Sequence, residues 1–161
     1  MTFEEFVAAR LGVLVRYATV VTWDPHLAED ITQDVLVRAQ ARWGRIGRLD
    51  APEQYVKRMV VNEFLSWRRR KVAQVVLVPS VEGMTPHVPD GTGAVDDRDL
   101  TRRLIAGLPA KQRAAIALRY YEDLTDEQIG DFLGCRTGTV RSLLSRGLAT
   151  LRAALPDRVR T

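Results

Sequence analysis

Cysteine and histidine are nearly missing from this chain. Cys135 is its one cysteine, so no internal disulfide can form and no Cys-rich metal site can be assembled. His26 and His87 stand far apart, and neither metal-ligand spacing nor a Gly-rich phosphate loop accompanies them. No catalytic residue, metal or cofactor is therefore expected. Cys135 reads as a packing residue, since free cysteine usually behaves as a small hydrophobe. Long apolar runs are absent as well. The longest, Leu11–Trp23, is interrupted by Arg16 and too short to span a bilayer. The start, Met-Thr-Phe-Glu-Glu-Phe, is acidic and lacks a signal-peptide pattern. No strand-type alternation and no internal repeat is evident. These absences leave an all-α, soluble, cytoplasmic protein with no membrane association.

What the chain has is charge in blocks. Its 161 residues suffice for one or two small domains. Residues 1–71 carry 12 Lys/Arg against 9 Asp/Glu, residues 72–98 carry 1 against 4, and residues 99–161 carry 11 against 7. The order is basic, acidic, basic, which suits two contacts with a polyanion. The middle block contains Pro79, Pro86, Pro89 and three glycines but no Phe, Tyr or Trp. It reads as a flexible acidic linker of 27 residues. At roughly 3.3–3.6 Å per residue it reaches about 90 Å, beyond two duplex turns of about 34–36 Å each. Residues 1–71 and 99–161 are then two small helical domains able to touch separate DNA elements.

In the first domain, Phe3, Phe6, Val7, Leu14 and Val21 follow near-helical spacing over residues 3–22. Asp24-Pro25 reads as a cap followed by proline at the first helical position. The helix it opens is predicted to run to about Trp43, with Leu27, Ile31, Val35, Ala39 and Trp43 as the buried stripe. Glu29, Asp30, Gln33 and Asp34 cluster on another side. A solvated face and a protein-docking surface both fit that cluster. Residues 44–50 form a loop whose glycines allow close backbone approach and whose Arg45 and Arg48 can reach phosphates. Asp50 and Glu53 are predicted to form a capping box opening a helix to about Lys71. Val56, Met59, Val60, Phe64 and Trp67 face its core side. Gln54, Arg58, Asn62, Ser66 and Arg69 share a polar stripe, and the helix ends Arg68-Arg69-Arg70-Lys71. Such a run can be merely solvated or complement the helix dipole. With Arg58 and Asn62 adjoining, a nucleic-acid contact is the better reading.

In the second domain, Leu100, Leu104 and Leu108 mark a helix closed by Gly107 and Pro109. A helix over about 110–121 is expected to bury Ile116, Ala117, Tyr120 and Tyr121. Residues 125–152 then read as a helix-turn-helix. Thr125 and Gln128 form a capping box, Ile129, Phe132 and Leu133 face inward, and Gly134 suits the left-handed stop. Thr137 is expected to cap the next helix, whose inner side carries Val140, Leu144, Leu148 and Leu151. Its outer side presents Thr139, Arg141, Ser142, Ser145 and Arg146, the donors a major-groove helix needs. The bland alternative is a helical hairpin with a solvated basic face.

Together these segments resemble an extracytoplasmic-function (ECF) sigma factor of bacterial RNA polymerase, and look most like the actinobacterial SigE-family group. Residues 28–35, Ala-Glu-Asp-Ile-Thr-Gln-Asp-Val, resemble region 2.2, which docks on the β′ clamp helices. Residues 50–71 resemble regions 2.3–2.4, which melt and read the −10 element, and residues 100–152 resemble region 4, which reads the −35 element. The resemblance implies a polymerase-binding face at Glu29, Asp30, Gln33 and Asp34. It implies −10 contacts from Arg45, Arg48, Arg58, Asn62, Ser66, Arg69 and Arg70, with loop 44–50 and Asn62 holding a flipped base, whose extrusion costs about a few kcal/mol. Residues 54–66 lack the row of stacking aromatics that primary sigma factors use for melting, since Phe64 fits the core and leaves only Tyr55. In region 4, Arg141 and Ser145 are the candidates for base edges, Arg136 and Arg146 for phosphates, with Thr139 and Ser142 on the same face. The acidic linker would thread the polymerase active-site channel. The implied partners are core RNA polymerase through its β′ clamp helices and β flap, promoter DNA, and an anti-sigma factor.

Two rival classes are weaker. A helix-turn-helix regulator of the response-regulator output type needs a receiver or ligand domain, and residues 1–71 show neither a βα alternation nor a pocket signature. An enzyme would need the chemistry whose absence was noted first.

Overall fold

The computed structural model describes residues 1–77 and 97–154. Among these the chain is all-helical: eight helices and no strand. Helix α1 (Phe3–Thr22) opens with a capping box. The Glu5 amide donates to Thr2 Oγ1 at 3.2 Å and the Thr2 amide to Glu5 Oε2 at 2.8 Å. It ends at Trp23, which takes the left-handed conformation (φ 54°) and donates its N–H to Thr19 O. Asp24 then caps α2 (Pro25–Ala41), accepting from the amides of His26 and Leu27 at 3.1 and 3.2 Å, with Pro25 in the first turn as expected. Ile31, Val35 and Ala39 are buried and Leu27 and Trp43 half-buried, so the anticipated stripe faces the core.

The boundaries differ from expectation in three places. First, α2 stops at Ala41, and Trp43–Ile46 form a separate helical turn, α3, inside what was expected to be loop. The Trp43 ring explains the break: it packs on Phe3 and Phe6, centroids 5.5 and 4.8 Å away, and its indole N–H donates to Met1 O. Second, α4 (Pro52–Leu77) begins with proline at its first position, so Ala51, whose carbonyl accepts from the Tyr55 amide, takes the cap position. The Asp50–Glu53 box is therefore displaced, and the Glu53 carboxylate goes instead to Arg10 and Lys57. Third, α4 continues six residues past Lys71, because Val72 to Leu77 contain no glycine or proline. The rest of the expected linker, residues 78–96, lies outside the described residues.

The second unit contains α5 (Asp97–Ala106), α6 (Ala110–Tyr120), α7 (Asp126–Leu133) and α8 (Thr137–Ala154). Here the core differs from expectation. Tyr120 and Tyr121 are exposed, at 62% and 45%, while Arg113, Ala114, Ala115 and Leu118 are buried. The cause is the position of α6: it is flanked by α7 and α8 on one side and by α1 and α4 on the other. A helix enclosed in this way needs small residues along its middle, and the two tyrosines fall where it runs out. The Thr125–Gln128 box forms, and Gly134 adopts φ 67°. Thr137 is not the cap of α8 but its first helical residue; Arg136, whose carbonyl accepts from the Val140 amide, precedes it.

Buried residues of both units belong to one continuous apolar cluster, from Phe6 and Leu14 through Phe64 to Leu118, Ile129 and Val140.

Candidate functional site

Three polar surfaces carry the residues singled out above. The first is on α2. Glu29, Asp30, Gln33 and Asp34 are all exposed, one helical turn apart on the side away from the core. Among the described residues no salt bridge joins these carboxylates to a basic side chain. Arg38, one turn on, reaches Asp34 only through the backbone carbonyl, at 3.4 Å, and places its Nη2 2.8 Å from Glu63 Oε2 on α4. That pairing leaves the acidic face uncompensated and open to a basic partner.

The second surface is the polar stripe of α4. Arg58, Asn62 and Arg69 are exposed there. Ser66 and Arg70 are tied together, Arg70 Nη1 donating to Ser66 Oγ at 2.8 Å while its Nη2 donates to Glu63 Oε1 at 3.1 Å. Arg58 lies over the ring of Phe132, 5.1 Å from its centroid, so this stripe residue touches the second unit. Arg45 on α3 and Arg48 in the following turn are exposed, but no hydrogen bond or ion pair links them to α4 among the described residues. The structure thus gathers five of the candidates on one helix and leaves these two on a separate segment. Phe64 is fully buried, as expected.

The third surface is the outer side of α8. Thr139, Arg141, Ser142, Ser145 and Arg146 are exposed together, with Arg136 just before the helix. Val140 and Gly147 are buried and Leu143, Leu144 and Leu148 half-buried on the inner side, which fixes the outward aim of the donors. The turn before α8 is tight. A Cβ on Gly130 would stand 2.6 Å from the carbonyl oxygen of Cys135, so only glycine fits there.

Five residues of consequence, Asp126, Arg119, Lys57, Glu122 and Arg113, escaped the sequence reading. Asp126, at the first position of α7, pairs through one carboxylate oxygen with Arg119 and through the other with Arg141 Nε, at 3.1 Å. Lys57 is 6% exposed and sets its ammonium 3.0 and 2.9 Å from the two oxygens of Glu122. Arg113, 5% exposed, donates through Nη1 to Thr22 O at 2.6 Å and through Nη2 to Ala106 O and Leu108 O at 2.8 and 3.1 Å. Burial, with repulsion from Arg68 and against the opposing pull of Asp24, lowers its pKa to about 10, so it stays charged at neutral pH. Lys57 and Glu122 stand 65 positions apart and Arg113 and Thr22 91 apart, so helical spacing carries no signal for them.

Residues 6–74 match the family described as Sigma-70 region 2, and residues 98–151 match Sigma-70, region 4. An RNA polymerase sigma-E factor of Streptomyces avermitilis is 35% identical over 98% of this chain and 87% of its own length. The chain belongs to the ECF sigma factors of the sigma-70 family. The ECF sigma factor SigL of Mycobacterium tuberculosis is 34% identical over 91% of this chain and 84% of its own. Among solved structures, the sigma factor RpoE of Bartonella quintana, crystallised with the anti-sigma factor NepR, aligns with a TM-score of 0.72 and 25% identity. The alignment covers 99% of this chain and 98% of that one. Sigma factors bind core RNA polymerase and DNA, and with regions 2 and 4 direct the polymerase to promoters. This ECF sigma factor is accordingly a transcription-initiation protein and not an enzyme. None of its described helices is long and apolar enough to cross a membrane.

Proposed function

We propose that this sigma factor divides its work among the three surfaces. Residues 1–71 dock on the β′ clamp helices through Glu29, Asp30, Gln33 and Asp34. The α4 stripe, with Arg58, Asn62, Ser66, Arg69 and Arg70, reads and melts the −10 element, and Arg45 and Arg48 contact its backbone. Residues 99–161 read the −35 element through α8, with Arg141 and Ser145 on base edges and Thr139 and Ser142 beside them. Arg136 and Arg146 hold phosphates, and the same unit meets the β flap. Residues 72–98 connect the two and pass through the active-site channel. The protein works in the cytoplasm, where core polymerase is. An anti-sigma factor is a further partner, a reading prompted by the full-length likeness to a sigma factor solved with one.

The observation that carries this assignment is the acidic face of α2, which no salt bridge among the described residues compensates, while Arg38 beside it pairs with Glu63. Its test is co-elution of the full chain with core RNA polymerase on a sizing column. The wild type is expected to co-elute stoichiometrically, and the Asp30→Ala, Asp34→Ala double variant to elute free. Unchanged co-elution of that variant would remove the docking face from α2.

A further inference from the structure

Helix α3 is too short to hold itself. Its four residues, Trp43–Ile46, close barely one turn, and a helix of that length persists only where other parts of the chain pack on it. What packs on it is the opening turn of α1. The indole N–H of Trp43 donates to Met1 O at 3.1 Å, across 42 positions of sequence. Its ring meets Phe3 edge-on, centroids 5.5 Å apart and planes at 70°, and Phe6 at 4.8 Å and 40°. The acceptor is itself fixed. Met1 O and the Thr2 N–H belong to one planar peptide unit, and that N–H donates to Glu5 Oε2 at 2.8 Å, so the capping box of α1 orients the carbonyl that receives Trp43.

The turn after α3 closes on the same ring. A Cβ on Gly47 would stand 2.9 Å from Trp43 Nε1 and 3.1 Å from both Cε2 and the Trp43 carbonyl oxygen, so glycine is what lets the chain pass there. Ile46 is buried. With Trp43, Ile46 and Gly47 turned inward, Arg45 and Arg48 are left outside and exposed. Among the described residues neither guanidinium has a hydrogen-bond or salt-bridge partner. Their placement therefore depends on how Trp43 is seated and not on any bond of their own.

We propose that Trp43, seated by Gly47 and the opening turn of α1, is the positioning residue for Arg45 and Arg48, and presents them already placed to phosphates of the −10 region. Phe3 and Phe6 touch no DNA in this arrangement and act through the indole. A cation on a seated segment avoids part of the ordering cost that binding otherwise carries. That role rests on the reading of Arg45 and Arg48 as backbone contacts.

Counterion release supplies the readout. Each phosphate contact adds about 0.9 to the slope of log affinity against log salt on duplex, and about 0.7 on single strands. An uncharged substitution remote from the DNA alters that slope only by unseating a cation. The experiment uses the full chain complexed with core polymerase and a labelled promoter fragment with a pre-opened −10 region. Arg45→Ala with Arg48→Ala is expected to lower the slope by about 1.4–1.8. Phe3→Ala and Gly47→Ala are expected to lower it by about half as much or more. Both should weaken binding about three- to tenfold at fixed salt, part of what a charged hydrogen bond contributes, and both should still co-elute with polymerase. Trp43→Phe keeps a ring beside Phe3 and Phe6 but has no N–H for Met1 O, and is expected to fall between these and the wild type. Phe3→Tyr, which keeps the ring, is expected to match the wild type.

A nitroxide on Gly44→Cys, in a Cys135→Ser background, reports the seating itself, since an added Cβ at Gly44 meets nothing within 4 Å. Its motion is expected to be restricted in the parent and faster in Phe3→Ala and Gly47→Ala. A faster nitroxide with the wild-type salt slope would overturn the positioning role. So would an unchanged nitroxide in Phe3→Ala, Gly47→Ala and Trp43→Phe alike, because Trp43 would then not seat the segment. A wild-type slope in the double arginine variant would instead show that Arg45 and Arg48 do not contact phosphate, and the positioning role would fall with that reading.

Discussion

Arg141 Nε donates to Asp126 Oδ2 at 3.1 Å, joining the first residue of one helix of the helix-turn-helix to the exposed face of the other. The opposite oxygen of Asp126 is held by Arg119 of α6, so the carboxylate is anchored before it meets Arg141. Bound through Nε, the Arg141 guanidinium keeps Nη1 and Nη2 free for a base edge, and part of its rotamer freedom is already lost before DNA arrives. The pair is largely exposed on the Arg141 side, and such pairs are worth about 0.2–1 kcal/mol. Asp126→Ala is therefore expected to cut discrimination between a matched and a shuffled −35 element by about two- to fivefold, with Asp126→Glu recovering most of it. In vitro transcription on the two templates measures this. Stronger, non-selective DNA binding by Asp126→Ala would mean that the carboxylate merely repels phosphate.

Removing the Arg141 side chain should do more. A bidentate base contact contributes about 1–3 kcal/mol. Arg141→Ala is expected to lower promoter use at least fivefold where the −35 element is intact and to change nothing where it is shuffled. Equal losses on both templates would assign Arg141 to phosphate.

Tyr17 offers a prediction on stability. Its side chain is fully buried and its hydroxyl has no hydrogen-bond partner among the described residues. An orphaned buried hydroxyl costs about 1–3 kcal/mol, so Tyr17→Phe is expected to stabilise the fold by about 1 kcal/mol and raise Tm by roughly 2–4 °C. A pH signature goes with it. Burial, and secondarily the Glu122 carboxylate, push the phenol well above its ordinary value of 10.0. A group raised in the folded state contributes stability below its unfolded pKa and loses it as pH climbs past that value. Stability of the wild type should then fall above pH 10.0 by an amount missing in Tyr17→Phe. Denaturant melts of both proteins on either side of that pH check it.

The helices were largely legible because their signals are local. The Asp24-Pro25 start, the Thr125–Gln128 box and the Gly134 stop each lie within a few residues, and each forms. The exposed donors of α8 follow from the same periodicity that buries Val140. What escaped was long-range. Nothing near Lys57 announces Glu122, and nothing near Arg113 says that α6 will be enclosed on two sides, which is why Tyr120 and Tyr121 were expected in the core. The contact of Phe132 with Arg58 is long-range in the same way, since Phe132 belongs to the other unit, while Arg58, Asn62 and Arg69 stay exposed on the α4 stripe.

The turn of the helix-turn-helix gives the sharpest contrast between two glycines. At Gly130 an added Cβ meets the Cys135 carbonyl oxygen at 2.6 Å. That atom cannot swing away, because the Cys135 amide is itself bonded to Gly130 O at 3.0 Å and the turn is folded back onto the helix. Gly130→Ala must push the turn outward and is expected to destabilise the second unit by about 1–3 kcal/mol, as overpacking does. At Gly134 nothing lies within 4 Å, and only the left-handed φ of 67° opposes a side chain. Gly134→Ala should cost about 1 kcal/mol and leave the turn in place. Gly130→Ala is thus expected to lose −35-dependent transcription at elevated temperature while its co-elution with polymerase, which we assign chiefly to α2, persists. Gly134→Ala should retain both activities. A Gly130→Ala protein that melts at the wild-type temperature and keeps its −35 preference would show that the turn yields, and that the aim of α8 does not depend on its closeness to α7.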